Sequence, residues 1–146
     1  MKGYGVMKKD DNKGFSLIEL IIVIAIMAVL VALIAPNLTK YLGSAKYNTD
    51  KHNADDLAQS IQTCILDYEV DNGRLIPLGG SDINLTWTAA NVSGGPSQFN
   101  SMLDSMLDKE PKSKENGTMA TAKISRKSSG EGYSVTVKIG NITINR

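Results

Sequence analysis

The stretch from Lys13 to Pro36 reads KGFSLIELIIVIAIMAVLVALIAP, and the architecture of the chain can be inferred from it. Sixteen consecutive residues within it, Leu20–Ala35, carry neither a charge nor a strongly polar group. Counted from Phe15, the apolar run is 21 residues long, which is about 31 Å for a helix. Because this length matches the roughly 30 Å hydrocarbon core of a bilayer, the stretch predicts one membrane-spanning helix.

A buried core helix and a cleavable secretory signal both fit the apolar run less well. Only 110 residues follow Pro36, too few to wrap a helix that is apolar on all its faces. A cleavable secretory signal would have a shorter apolar region and an A-x-A-like end, whereas this run ends Leu33-Ile34-Ala35. Four lysines and two aspartates precede the run, so we expect a cytoplasmic N-terminus and an exported remainder (Lys2, Lys8, Lys9 and Lys13).

Glu19 is the one charged residue inside the apolar stretch. An ionised carboxylate there costs several kcal/mol unless it is paired or reaches the membrane surface. On these grounds alone, an interfacial carboxylate and a functional one remain equally open.

The order of residues at the start of the run resembles the class III signal peptide of type IV pilins and their relatives. A basic leader ends in Gly14, Phe15 follows, Glu19 is the fifth residue after the glycine, and then the uncharged run begins. Over roughly the first 40 residues, the resemblance implies cleavage by a prepilin peptidase after Gly14 and methylation of the Phe15 amine. It also implies that Glu19 pairs with that amine in the same or a neighbouring subunit. Pro36 corresponds to a helix-disturbing proline common in pilins.

Three regions follow from this assignment. They are a cleaved leader (1–14), a transmembrane and assembly helix (15–36), and a globular head (37–146) that begins with the amphipathic second half of the helix (about 37–71). The exported part is electrically balanced, with 12 basic and 12 acidic residues, and the whole chain carries a formal charge of +1. The chain therefore lacks the strong positive electrostatic field that would indicate a nucleic-acid partner.

Beyond Pro36 the helical pattern becomes amphipathic, and Gly73 supplies a stop, so one helix is predicted from about Phe15 to about Val70. Its apolar residues recur at intervals of three and four (Leu38, Leu42, Ala45, Ala54, Leu57, Ile61, Cys64, Ile65 and Tyr68). Its polar residues are expected to face water or neighbouring subunits (Lys46, Asp50, Lys51, Asp55, Asp56, Gln59 and Gln62).

The rest of the head predicts an antiparallel sheet of three to four strands that the helix covers, an α+β fold. Alternating apolar residues indicate strands at 83–87, 119–126 and 133–139, and Gly140-Asn141 predicts a hairpin to a last strand at 142–144. Ser97 is expected to cap a second helix with a core-facing apolar stripe (Phe99, Met102, Leu103, Met106 and Leu107).

No enzymatic chemistry is indicated, and no cofactor or metal is expected. His52 and Cys64 are single residues of their kind, which excludes a His/Cys zinc site within one chain and any internal disulfide. Both are interpreted as packing or surface residues. Many Gram-negative pilins pin the C-terminal region with a disulfide, which this chain cannot form.

Other polar features are interpreted as ordinary surface. Asp104 and Asp108 share a helix face that we expect to be solvated. The Asn-x-Ser/Thr sequons are taken as chance (Asn37, Asn84, Asn91, Asn116 and Asn141). Six basic residues between Lys109 and Lys127 lack interleaved aromatics, which leaves nucleic acid only a minor candidate partner.

The resemblance implies a structural subunit of a homo-oligomeric helical pilus. It would be processed by prepilin peptidase and handled by a pilus assembly platform and its ATPase. It would reside in the plasma membrane before assembly and in an extracellular pilus afterwards. A type II secretion major pseudopilin or a competence pilin is the alternative, because Asp71–Arg74 with Pro77 resembles the turn after the long pseudopilin helix. An uncleaved, membrane-anchored binding domain is the alternative of another class.

Overall fold

A long helix, α1 (Leu17–Asn72), dominates the computed structural model, which describes residues 14–78, 81–88, 91–107, 110–128 and 132–146. The helix ends where predicted, because Gly73 adopts a φ of 61° that L side chains rarely take. The side-chain amide of Asn72 also donates a hydrogen bond to the Tyr68 carbonyl at 2.8 Å and satisfies one of the last carbonyls. The bounds predicted for this helix are therefore confirmed to within two residues.

The described residues belong to two units, the first ending at Lys40 and the second beginning at Tyr41. In the first unit the described residues are helical from Leu17 onward, and their side chains are all exposed. The second unit holds the rest of α1 and all the strands.

A five-stranded antiparallel sheet forms most of the second unit. Its strands are β1 (Ile83–Trp87), β2 (Val92–Ser93), β3 (Thr121–Arg126), β4 (Tyr133–Ile139) and β5 (Ile142–Asn145), in the order β2-β1-β3-β4-β5. The sheet has one strand more than the predicted three to four, because the short β2 was not predicted. With two residues, β2 has no alternation from which it could have been recognised. The predicted meander is confirmed, and Ile139 pairs with Ile142 across the Gly140-Asn141 turn.

One face of the sheet is apolar and is covered by the second half of α1. Alternation along each strand turns the large aliphatic residues inward, and Thr, Ser, Asn and Lys outward. The core joins this face to the apolar stripe of α1 (Ala54, Leu57, Ala58, Ile61, Cys64, Ile65 and Tyr68). The predicted helix-on-sheet layering is therefore confirmed.

The second helix, α2 (Ser97–Met106), closes one end of this core. Phe99 and Leu103 are fully buried, and the Phe99 ring meets Tyr68 edge to face with centroids 6.2 Å apart. The predicted cap by Ser97 is wrong, since Pro96 is the capping residue and no side chain caps the helix. Proline is compatible with this position because the missing N–H would have had no partner in the helix.

Candidate assembly site

The peptide bond between Gly14 and Phe15 lies before the first turn of α1. Both residues are exposed, and a methyl group added to Gly14 would meet no atom within 4 Å. Phe15 leaves 94% of its surface exposed. The predicted processing point is therefore outside regular structure and accessible. The leader 1–13 lies outside the described residues.

Glu19 is in the first turn of α1, and its carboxylate accepts a hydrogen bond from the backbone N–H of Ser16 at 2.8 Å. The spacing Ser-x-x-Glu is that of a capping box, in which an acidic side chain satisfies a free N–H at the helix start. The helix dipole also favours a negative charge there. The prediction paired Glu19 with an amine at Phe15. In the unprocessed chain the nitrogen of Phe15 belongs to a peptide bond. The Glu19 carboxylate instead accepts the N–H of the following residue, Ser16.

The apolar part of α1 is exposed on all sides of the helix. From Leu17 to Ile34, the large aliphatic side chains are exposed, although the segment holds only one charged residue, Glu19. Among the described residues, α1 is the only helix long and apolar enough to cross a membrane. The helix continues through Pro36, whose carbonyl accepts the Thr39 hydroxyl at 3.0 Å.

Asp50 contradicts the expectation that it faces water, because it is only 1% exposed. Its carboxylate accepts the Ser113 hydroxyl and the Lys114 N–H, each at 2.6 Å, and the Glu115 N–H at 3.3 Å. Burial by itself raises the pKa of Asp50, but these hydrogen bonds stabilise the charged form and hold the pKa below its ordinary value. Asp50 thus anchors the segment before β3 to α1.

The other singled-out residues of the head have structural positions. Cys64 is buried, with its thiol 3.6 Å from the Phe99 carbonyl, and His52 is exposed, as predicted. Burial raises the pKa of Cys64 to about 12, and the charge of Asp67 adds to the shift. The prediction that Asp104 is merely solvated is wrong. Its carboxylate accepts the Val92 N–H at 3.0 Å and holds β2 against α2. Its predicted partner Asp108 lies outside the described residues.

The predicted basic segment is only partly described, since Lys109 lies outside the described residues. Lys123 forms an ion pair of 2.6 Å with Asp82. This hydrogen bond from Lys123 lowers the pKa of Asp82. Lys112 and Lys114 are exposed beside the segment that Asp50 holds.

Comparison with known proteins places these features in context. The family model of the prokaryotic N-terminal methylation motif matches residues 9–35. The chain is 31% identical over 103 residues to prepilin peptidase-dependent protein A of Clostridium perfringens, covering 70% of this chain and 73% of that protein. Two type IV major fimbrial proteins FimA of Dichelobacter nodosus are 29% and 31% identical over 100 and 84 residues. These alignments cover 68% and 58% of this chain but only 57% and 48% of the fimbrial proteins. No solved structure matches the chain at comparable significance.

Proposed function

Because this chain belongs to the family of type IV pilins and their prepilin-peptidase-dependent relatives, we propose that it is a structural subunit of a type IV pilus filament. The first unit supports this proposal most directly, because its helix is long and apolar and its described side chains are all exposed. Such a surface is stable only when lipid or other apolar helices cover it. Membrane insertion before assembly and helix packing after it meet the same requirement.

Processing would divide the chain into the leader 1–14, the assembly helix 15–36 and the head 37–146. The prepilin peptidase would cut after Gly14 and methylate the new Phe15 amine. The exposure of this peptide bond before the first helical turn supports the proposal, because a protease needs an extended, accessible backbone. The N-terminus would lie in the cytoplasm before the cut, and the head on the opposite side of the membrane.

Assembly would use the carboxylate of Glu19 as the partner of a Phe15 amine, in the same or a neighbouring copy. The Glu19 carboxylate already binds the N–H of Ser16, the residue next to the amine that cleavage would create. Within a bundle of apolar helices, an unpaired carboxylate is costly, so the pairing selects one axial register. Pro36 would allow local adjustment of the helix, because its missing N–H leaves one carbonyl without a helical partner.

Glu19 substitutions in the full chain test this proposal through the amount of protein sheared from cells. Glu19→Ala is expected to be processed to a chain beginning at Phe15 and to reach the membrane. Its amount in the sheared filament fraction should fall about tenfold or more, since one buried ammonium would lack its partner.

Glu19→Gln is the matched control, because its amide oxygen can still accept the Ser16 N–H while the charge is gone. If ion pairing drives assembly, Glu19→Gln fails like Glu19→Ala. Normal filaments from Glu19→Gln would show that Glu19 serves only to cap the helix, and the pairing mechanism would be rejected.

The same preparation of the unmodified chain distinguishes the alternatives. The pilus machinery, with its peptidase, assembly platform and ATPase, would yield long extracellular filaments of a chain beginning at Phe15. The alternative of a secretion pseudopilin or a competence pilin rests on the sequence of the turn at Asp71–Arg74 with Pro77. It would be processed at the same bond but would be scarce in the sheared fraction. A chain beginning at Met1 would identify an uncleaved, membrane-anchored binding domain.

A further inference from the structure

Within the second unit, α1 begins with a stretch, residues 41–51, in which all side chains except two are exposed. Its large apolar or aromatic residues are Tyr41, Leu42 and Tyr47, and its exposed charges are Lys46 and Lys51. At about 100° per residue, the two lysines point about 140° apart around the helix, and the two tyrosines about 120° apart. The 41–51 stretch therefore presents lysine and tyrosine in several directions and offers no single face to a protein partner.

The exposed charge of the 41–51 stretch is entirely positive. Its one acidic residue, Asp50, is buried, and its carboxylate is occupied by hydrogen bonds from Ser113 and Lys114. Within the described ranges, neither Lys46 nor Lys51 is in an ion pair. These two ammonium groups are therefore free to bind an anion outside the chain.

The neighbouring rim of the head adds no positive excess among the described residues. Lys112 and Lys114 line one groove together with the acidic residues Asp56 and Glu110. Glu115 is exposed in the same turn as Lys114. Opposite charges lie side by side there, so the positive excess at this end of the head belongs to α1 itself.

The chain reaches the 41–51 stretch directly from the segment proposed to span the membrane. Lys46 and Lys51 follow Ala35, the end of the apolar run, by 11 and 16 residues. Flanking charges at such distances still act at the membrane surface. Lys40, the last residue of the first unit, is exposed as well. The proposed cut after Gly14 would remove the lysines of the leader, so these three would be the only lysines left within about 20 residues of the run.

We propose that the 41–51 stretch binds the anionic headgroups of the leaflet on the exported side before the chain is assembled. Lys46 and Lys51 would bind lipid phosphates, and Tyr41 would lie at the headgroup level, where its amphipathic ring is favourable. Side chains on a helix lean towards its N-terminus, which here is towards the membrane. The proposal rests on the membrane stage of the proposed pilus function and adds a lipid partner to it.

A bilayer surrounds a helix that crosses it, and this matches the distribution of the lysines and tyrosines around α1. A second copy of the chain would cover only one side. The lipid contact would hold the unassembled head at the membrane, and it would have to break when the chain is drawn into a filament.

The contact should weaken along the helix, away from the membrane. Lys46 and Lys51 are about 8 Å apart along the axis, and a charged surface is screened over about 10 Å at 0.1 M salt. Lys46 should therefore be bound more strongly than Lys51. Lys127 should not be bound, because it lies beside Gln62 and Glu69, towards the other end of α1.

Acetylation of single lysines in the full chain tests the contact. The chain is reconstituted in vesicles of phosphatidylcholine, alone or with about 30% phosphatidylglycerol, and treated with the uncharged N-hydroxysuccinimide ester of acetic acid. Mass spectrometry gives the rates at Lys46 and Lys51 relative to Lys127 of the same molecules. The anionic lipid should lower the relative rate about fivefold at Lys46 and about twofold at Lys51, because phosphates shield the ammonium groups. About 1 M salt should remove both differences.

Two single variants check that the 41–51 stretch itself carries the effect. Lys46→Glu places a negative charge beside the phosphates and repels them, so the protection of Lys51 by anionic lipid should vanish. Lys112→Glu is the matched control, because it changes an exposed lysine on the balanced rim and should leave the protection of Lys51 unchanged.

Equal relative rates in the two kinds of vesicle would overturn the lipid contact. Equal protection by inorganic phosphate in neutral vesicles would also overturn it, since a free anion would then suffice. Protection that grows with protein density in neutral vesicles would identify a second copy as the partner instead. These three results leave the pilus function intact when the chain is recovered in sheared filaments. A chain that alkaline carbonate extracts from the vesicles would overturn membrane insertion, and both proposals with it.

Discussion

Replacement of Asp50 by alanine is expected to destabilise the head more than the loss of any exposed charge. The carboxylate is 1% exposed and accepts three hydrogen bonds from Ser113, Lys114 and Glu115. Its removal leaves the Lys114 N–H without this acceptor and opens space beside the Ser113 hydroxyl. Hydrogen bonds to a charged group contribute about 1.5–3 kcal/mol each, and two of these are short. We therefore expect a loss of roughly 3–5 kcal/mol in the free energy of unfolding.

Two further variants resolve this loss into its parts. Asp50→Asn keeps an oxygen for the Lys114 N–H and an amide that can donate to Ser113, so it should cost only about 1–2 kcal/mol. Asp55→Ala is the matched control on the same helix. It removes the partner of Arg146, whose guanidinium is 2.6 Å from the Asp55 carboxylate, with both side chains more than a third exposed. Solvent screening limits that loss to about 1 kcal/mol or less.

Thermal unfolding of the full chain in detergent micelles, followed through Trp87 fluorescence, measures these differences. At roughly 4 °C per kcal/mol for a domain of about 100 residues, Asp50→Ala should lower the midpoint by about 12–20 °C. The pKa of Asp50 in the folded head is below the ordinary 3.8. Its contribution is therefore complete above pH 3.8 and is lost as the pH falls towards the lowered value.

Asp50→Asn should accordingly flatten the acid side of the stability profile. The remaining slope includes Asp82, whose pKa is also lowered. Equal midpoints for Asp50→Ala and Asp55→Ala, or an unchanged acid slope in Asp50→Asn, would refute the argument that this buried carboxylate anchors the 113–115 segment.

Two further predictions concern Cys64 and Gly94 in the head. Because burial raises the pKa of Cys64 to about 12, its thiol should not react with a maleimide at pH 8 until the head unfolds, and mass spectrometry of the labelled chain checks this. Labelling at the rate of a free thiol in the native chain would contradict that burial. Gly94→Ala should destabilise the head by more than about 2 kcal/mol, since Gly94 has a φ of 109° and its new Cβ would overlap the Asn84 carbonyl oxygen. Gly73→Ala is the control, because its φ is also positive but its surroundings are open, and it should cost about 1 kcal/mol. Similar melting midpoints for the two alanine variants would reject the steric part of this argument.

The sequence alone was sufficient for the elements whose signals are local. The apolar run and Gly73 predicted α1, and the period-two alternation predicted the β3–β5 meander. The start of α2 was assigned to the wrong residue, because a serine next to a Gly-Gly-Pro turn has the composition of a cap whether or not it is used as one. β2 was missed because only tertiary contacts define so short a strand.

The polar contacts of the site were harder to predict. The bond between Glu19 and Ser16 has a local signature, Ser-x-x-Glu, and could have been foreseen. Asp50 had a weaker one, since it precedes Ala54 by four residues and so lies on the buried stripe of α1. Its partners are more than 60 residues away, and the burial of the carboxylate depends on how the segment before β3 returns to the helix. The periodicity of the sequence does not predict that this segment packs against α1.

Two of the aspartates of α1, Asp50 and Asp55, together explain how the meander is held without a disulfide. Asp50 binds the segment before β3, and Asp55, about one turn further along the helix, binds Arg146 at the end of β5 through both carboxylate oxygens. The β3–β5 meander is thus attached to one stretch of α1 at its beginning and at its end. A disulfide restrains a C-terminal region mainly by limiting the unfolded chain. These contacts act only in the folded head, and the buried one contributes more than the exposed one. The stability of the C-terminal region should therefore depend on Asp50 first, and on the Asp55–Arg146 pair only secondarily.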